Sequence, residues 1–331
     1  MTRILLLLAL LLQASAGYAA CRGADFRDQL TPAAQERLAS EMAATPFAVG
    51  NHWVARNGAR SIHVIGTMHG GDARMGRVMR TLRPVLNKAG AIYLETSRAE
   101  LERYNANPTR FAGRFLLPRG QELRRLVSPL SWERFVIFAR ISGTDLELLN
   151  RMQPWAVSMF LIQSGCRPYG FGTRRGLDDR IAGHARRKRI PLGALETVGD
   201  GLKALSELPL REQAKMLDLE LQLLHSDKPE DATPVEAYFD ESVWSAFILA
   251  PWVNAQFTGM PAAEVARLWR LNNRHLLEQR NKRWLKPILA ARHETIVVAV
   301  GAAHLPGRHG ILNLLQNHGF RLTRAPWQPG R

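Results

Sequence analysis

TIVVAVGAAHLPG, running from Thr295 to Gly307, is an apolar, β-branched run that closes in small residues, a histidine and a Pro-Gly pair. A run of this kind, with no polar alternation, reads as a strand covered on both faces, as in the interior of an α/β sheet. His304 sits at its carboxyl end, with only Gly301, Ala302 and Ala303 ahead of it. A polar ring delivered by a core strand needs a partner or a task, because burying it unpaired is costly.

Outward from this strand the chain alternates in type. GILNLLQNHG reads as a helix and FRLTRA as a last strand. Near the other end, HWVAR and SIHVIGTMH flank Asn57-Gly58, a favoured tight-turn pair, and predict a hairpin. A helix follows over Gly76–Lys88, with Val78, Leu82, Val85 and Leu86 on one face, and then the strand AIYLETS. GLDDRIAGHARRKR reads as a capped helix leading to the short strand IPLGALET. The stretches 120–165 and 201–292 carry helical spacing, with breaks at Pro129, Gly143 and Pro154 and a polar loop at DKPEDATP. The expected fold is therefore α/β: a parallel or mixed central sheet from two similar βαβ-type halves, with a long helical insertion forming a cap. Trp132, Trp155, Trp244, Trp252, Trp269 and Trp284 fall in helical stretches and read as packing of that cap, with one or two free to line a cleft.

Two strands end alike, in Gly66–His69 and Gly301–His304, and two others end in Leu-Glu-Thr, at Glu95 and Glu196. With 26 Gly and 10 His in 331 residues, about one Gly-x-x-His spacing is expected by chance, so strand context carries the weight. Ligands of open α/β sheets bind at the carboxyl ends of strands, where His69, His304, Glu95 and Glu196 would converge. Two imidazoles and two carboxylates suit Mn, Co, Fe or Zn, which turn bound water into a nucleophile. Without a metal the same four make a His–Glu acid/base set. The plainer alternative is that each Glu caps the following helix and each His satisfies a buried carbonyl. His63 alternates away from the tip position, His309 reads as a loop residue, and His184, His225, His275 and His293 read as surface. Ser158 and Ser164 lack a nucleophile-elbow context, and there is no HExxH, Walker A or Rossmann fingerprint.

Composition bounds the setting. The chain is 46% hydrophobic and 22% charged, enough for a full core. Residues 1–19 read as a signal peptide: Arg3, an apolar run from Ile4 to Leu12, then small residues through Gly17 and Ala19. The protein is thus expected in the periplasm or secreted, as a single domain over 20–331. Cys21 leaves a lipoprotein alternative, with Tyr18 where a lipobox prefers Leu. Cys21 and Cys166 are the two cysteines, and in an oxidising compartment they predict a disulfide. The net charge of +16 comes mostly from scattered Arg, as in RGQELRR and HARRKR, without aromatic interleaving. That argues against nucleic acid and for a solvated basic surface, with weak association to an anionic membrane surface left open.

IGTMHGGD, YLETS, RGLDDRI with RRKRIPLGALET, Arg280-Asn281 and VVAVGAAHLPGRHGILNLLQNHGF together resemble the TraB/GumN family, over about Phe47–Thr323. That family includes the Tiki proteins, described as metal-dependent proteases, and is similar in fold to the erythromycin esterase and ChaN-like group. The resemblance implies an active centre of His69, His304 and a nearby Glu, with Glu95 a third metal ligand or the base, and manganese or cobalt as metal. Asp72, Asp178, Arg280 and Asn281 match recurrent polar positions around that centre. A Gln expected a few residues after the second Leu-Glu-Thr is absent; Asp200 and Gly201 stand in LETVGDGL instead.

The leading expectation is an exported metal-dependent hydrolase (Mn, Co or Zn) that cleaves peptide or amide bonds in a peptide or small-molecule substrate. A metal-independent esterase using a His–Glu pair, and a non-catalytic periplasmic protein that binds haem or peptide, are the alternatives.

Overall fold

The structure is a computed structural model and describes residues 23–106, 113–163, 176–224 and 226–327. The expected leader, Cys21, Cys166 and their disulfide, Ser164 and His225 lie outside the described residues.

Six strands form one mixed sheet: β1 (His52–Asn57), β2 (Arg60–Thr67), β3 (Ala91–Leu94), β4 (Leu192–Ala194), β5 (Thr295–Gly301) and β6 (Arg321–Arg324), in the order β4-β3-β5-β2-β1-β6. The expected hairpin joins β1 and β2 antiparallel, and β6 runs antiparallel to β1. β2, β5, β3 and β4 are parallel neighbours. β5, the last of the parallel strands in sequence, inserts between β2 and β3 within the parallel block.

β5 is apolar throughout because both of its faces are covered. Val297 and Ala299 enter a core with helix α1 (Met75–Lys88), helix α2 (Leu177–Lys188), Tyr238, Phe239 and Trp327. Ile296, Val298 and Val300 enter the opposite core with helix α3 (Gln279–Ala290) and helix α4 (Ile311–Asn317). A separate helical core over Leu117–Val157 also takes in Ala214, Leu217 and Leu221. Ser128 caps the helix Pro129–Ser142, Pro129 takes its first turn, and Gly143 ends it at φ 67°. Among the described residues no helix is long and apolar enough to cross a membrane.

The readings of His184 as surface and of Trp284 as cap packing are corrected. His184 is buried, because α2 turns that face onto α1, and its Nε2 pairs with Asn87 Oδ1 at 2.8 Å. Trp284 does not pack a distant cap. It is fully buried against the sheet, in the core that covers β5.

Candidate active site

Four parallel strands bring their carboxyl ends to one edge. Glu95 follows β3 and Glu196 follows β4, and the pairing continues past both strands, with Glu196 N–H donating to Glu95 C=O at 3.0 Å. His304 closes a 3₁₀ turn, Ala302–His304, directly after β5. His69 lies just beyond β2. The glycine before His304 answers a packing need. A Cβ on Gly301 would stand 3.2 Å from Glu95 Oε1, where the Gly301 N–H now donates at 2.6 Å. The glutamates do not cap the helices that follow them. Ser97 caps one, and Thr197 caps the other in a reciprocal box with Asp200, the residue that stands where a Gln was expected.

Arg280, on α3, gathers the cluster. Its Nη2 donates to Glu95 Oε2 at 2.7 Å and to Glu196 Oε1 at 2.5 Å. Its Nε donates to Glu196 Oε1 at 3.0 Å. Its Nη1 reaches the Leu276 carbonyl at 3.2 Å and His304 Nε2 at 3.3 Å. Leu276 belongs to a single π-helical turn, Arg274–Glu278, immediately before α3, a local feature often found at functional sites. The second oxygen of Glu196 accepts from Trp284 Nε1 at 2.9 Å, and the Trp284 ring lies 4.4 Å from that of His304. Asn281 is the next fixture: its Oδ1 accepts from His304 Nδ1 at 2.7 Å, and its Nδ2 donates to the carbonyls of His304 and His309. His304 thus carries its proton on Nδ1 and turns a bare Nε2 toward Arg280 and Glu95.

His69 stands apart from this interior set. Its side chain is 47% exposed and its Nδ1 lies 3.3 Å from Asp178 Oδ2, in the first turn of α2. Gly176 lets that turn press against the loop after β2, with Leu177 N–H donating to Met68 C=O at 3.0 Å. Asp72 sits before α1 and accepts from the Arg74 N–H and guanidinium, which in turn binds Glu236. Glu95 is 16%, Arg280 14%, Glu196 6% and His304 4% exposed at the side chain, so the cluster runs from a wet His69 to a dry His304.

These placements set the charges. The hydrogen bond to Asp178 outweighs desolvation and, with the charges of Asp178 and Glu95, pushes His69 up to about 9. Burial pulls His304 down to about 3 against the attraction of Glu95. Burial works against a charged Glu95, but protonated His304, Arg280, His69 and the Gly301 N–H bring it down to about 2. Since His304 is neutral near pH 7, Arg280 and His69 are the charges that persist. These directions favour an imidazolium at the exposed His69, a carboxylate at Glu95 and a neutral imidazole at the buried His304.

The donor types match a transition metal, but their arrangement does not. Among the described residues no three His, Cys, Asp or Glu side chains are grouped to hold a metal ion. The Arg280 guanidinium fills the space between Glu95, Glu196 and His304. Sequence reasoning missed Trp284 as part of this cluster. The usable signal was its position four residues after Arg280, on the same helical face. Three buried oxygens in this part of the chain have no hydrogen-bond partner: Thr67 Oγ1, Thr96 Oγ1 and Asp178 Oδ1.

Comparison with known proteins agrees with this frame. The chain is similar to a protein named YbaP, described as uncharacterized, from Escherichia coli K12, with 24% identity over 273 residues, 81% of this chain and 94% of YbaP. The YbaP of Shigella flexneri matches over the same shares at 24% identity. The sequence profile of the TraB/PrgY/gumN family matches residues 51–324, which include β1 to β6 and every residue of the cluster, and the chain belongs to that family.

Proposed function

We propose that this chain is an exported hydrolase that cleaves a peptide, amide or ester bond by acid–base chemistry at the His69–Glu95–Arg280 cluster. The observation that carries the reading is the arrangement at the wet end of the cluster: the half-exposed His69 ring has Nδ1 3.3 Å from Asp178 Oδ2, which favours the imidazolium, and Glu95 accepts from the Arg280 guanidinium at 2.7 Å and the Gly301 N–H at 2.6 Å, which favours the carboxylate. In the step proposed, Glu95 takes a proton from water as the water oxygen bonds to the substrate carbonyl carbon. The carbonyl π electrons move onto oxygen, and that negative charge faces the fixed charges of Arg280 and His69. The tetrahedral centre collapses, the bond to the leaving nitrogen or oxygen breaks, and the leaving atom takes a proton from His69. The proton on Glu95 passes back to His69 through solvent, leaving an acid and an amine or alcohol.

Glu95 and His69 suit these roles because they are the members of the cluster a substrate can reach, whereas His304 is buried behind them. The donors a metal-assisted version of the step would need are engaged by Arg280.

The test is a panel of peptide and simple ester substrates against the purified protein, with Glu95→Gln and His69→Gln beside it. Each substitution is expected to lower kcat by at least about 100-fold with the fold retained. Turnover that survives both substitutions, or no turnover of any substrate, would overturn the proposal.

A further inference from the structure

We infer that the amino-end edge of the parallel sheet, together with the outer face of α1 and α2, is a docking surface for an anionic phospholipid bilayer, and that a docked molecule turns its His69–Glu95 edge away from the membrane. The surface lies at the opposite end of the strands from the hydrolase reading and does not rest on turnover.

The sequence sets the charge of this surface and the fold collects it. α1 carries Arg77, Arg80, Arg83 and Lys88 and no acidic residue. α2 closes in Arg186, Arg187 and Lys188, with Arg189 as its C-cap. Both helices end at the amino edge, where the Gly90 N–H donates to the Thr295 carbonyl and the Ile92 N–H to the Pro191 carbonyl, each at 2.9 Å. The loop before β5 adds Arg292 and His293, and a Cβ on Gly90 would stand 2.6 Å from His293 Cδ2. Across 86–90, 186–193 and 291–295 the one acidic residue is Glu294.

The cations are close together and unbalanced. The buried His184–Asn87 pair joins the two helices. Around it Arg83 of α1 meets Arg187 and Lys188 of α2: after burial, the charges of Arg187, Arg83 and Lys188 hold the His184 ring below the ordinary histidine range. The Arg187 and Arg186 guanidinium groups both lie over Gly183, 3.4 Å and 3.9 Å from where its Cβ would stand. Arg80, Arg83, Lys88, Arg187, Lys188 and Arg292 are exposed, and among the described residues none of them pairs with a carboxylate. Like charges gathered this way repel in the free chain and are relieved by an anionic partner. The pull of a helix C-terminus on cations accounts for Lys88 and the last turn of α2, but not for Arg80 and Arg83 further up α1 or for Arg292 in a loop.

The charge is spread over two helices and a loop, which suits a plane of headgroup phosphates. Each basic side chain near such a plane raises partitioning about fivefold. None of the large exposed apolar side chains lies on α1 or α2, so the attraction is electrostatic and sensitive to salt. The carboxylates of Glu95, Glu196 and Asp178 stand at the other end of the strands. β5 spans seven residues, Thr295–Gly301, about 20 Å at about 3.3 Å per residue. That exceeds the screening length of about 8–10 Å, so docking by the basic edge leaves the cluster in water.

The experiment sediments the full chain with vesicles of phosphatidylcholine alone and of phosphatidylcholine mixed equally with phosphatidylglycerol, in low and high salt. Binding to the anionic vesicles is expected to exceed binding to the neutral ones, to fall in high salt, and to drop at least about 25-fold in Arg83→Glu/Arg187→Glu. Arg98→Glu/Arg103→Glu makes the same charge change on the exposed helix Arg98–Asn105 at the carboxyl edge and is expected to bind as the intact chain does. The apolar run Ile4–Leu12 is common to every protein compared and cancels from these ratios. Equal binding to both kinds of vesicle, binding retained in Arg83→Glu/Arg187→Glu, or an equal loss in the two double variants would each overturn the inference. If Arg83→Glu/Arg187→Glu does not fold, Arg186→Gln/Lys188→Gln takes its place under the same criteria. Failure of the hydrolase reading would appear as absent turnover and leave vesicle binding unchanged.

Discussion

His69 and His304 are the same side chain in similar sequence settings, yet they titrate on opposite sides of neutrality. Asp178 raises the first to about 9, and burial lowers the second to about 3. The sign follows for catalysis. If His69 acts as the acid, kcat holds while His69 keeps its proton and falls as pH rises through about 9. Asp178→Asn removes the hydrogen-bonded charge, so the falling limb should move down toward the ordinary histidine value near 6.5. A pH–rate profile of both proteins checks this, and an unmoved limb would remove Asp178 from the mechanism. Stability should follow the same direction, since a raised pKa contributes below the unfolded value and is lost as pH climbs through about 9. The strand-tip members of this cluster were legible in the residues themselves. Each strand-tip polar residue could be named from a strand ending, but the opposite directions in which His69 and His304 are shifted could not. That opposition depends on the burial of His304 and on Asp178, which lies far from His69 in sequence.

At the scale of elements, the cluster depends on how closely segments approach one another. The first turn of α2 presses on the loop that carries His69. A Cβ added at Gly176 would stand 2.3 Å from both the Met68 and His69 carbonyl oxygens. The backbone of Gly176 is ordinary, with φ −64°, so the glycine is required for space and not for conformation. Gly176→Ala should push α2 away from β2, part Asp178 from His69, and cost about 1–3 kcal/mol. Chemical denaturation and the pH–rate profile together test this: stability should drop and the alkaline limb should shift as in Asp178→Asn. Wild-type behaviour in both would show that the contact relaxes freely. The sequence made α2 visible as a capped helix, but gave no sign that its glycine abuts another strand tip. Similarly, the helical period of RNKRW put Arg280 and Trp284 on one face without saying that the face closes over Glu196.

At the scale of the whole molecule, the chain's last described residues complete the core. Trp327 is buried, with its ring 5.4 Å from that of Tyr238 at 87°, and Tyr238 in turn donates its hydroxyl to the Gly66 carbonyl at 3.2 Å. The Ala325 N–H donates to His52 C=O at 2.9 Å, which carries the edge of the sheet past β6. Trp327→Ala should therefore lower unfolding free energy by about 3–5 kcal/mol with a clear drop in denaturant midpoint. A loss below about 1 kcal/mol would mean that this segment closes nothing. The sequence reading ended at the strand FRLTRA and left Trp327 out, because a lone aromatic beyond the last periodic segment has no pattern to declare it.

What the sequence by itself determined is the class of fold and the edge where chemistry would gather. Local rules sufficed for that: an unbroken apolar run must be covered on both faces, and polar residues at the ends of such runs share one edge of a parallel sheet. Family membership was also legible in the order of the short motifs, and the profile over residues 51–324 agrees. Only the tertiary structure decided that β5 sits between β2 and β3, and that Arg280 stands between the carboxylates. Both are contacts between residues far apart in the chain, chosen by the packing of helices on the sheet, and no local periodicity encodes which distant side chain fills a shared space.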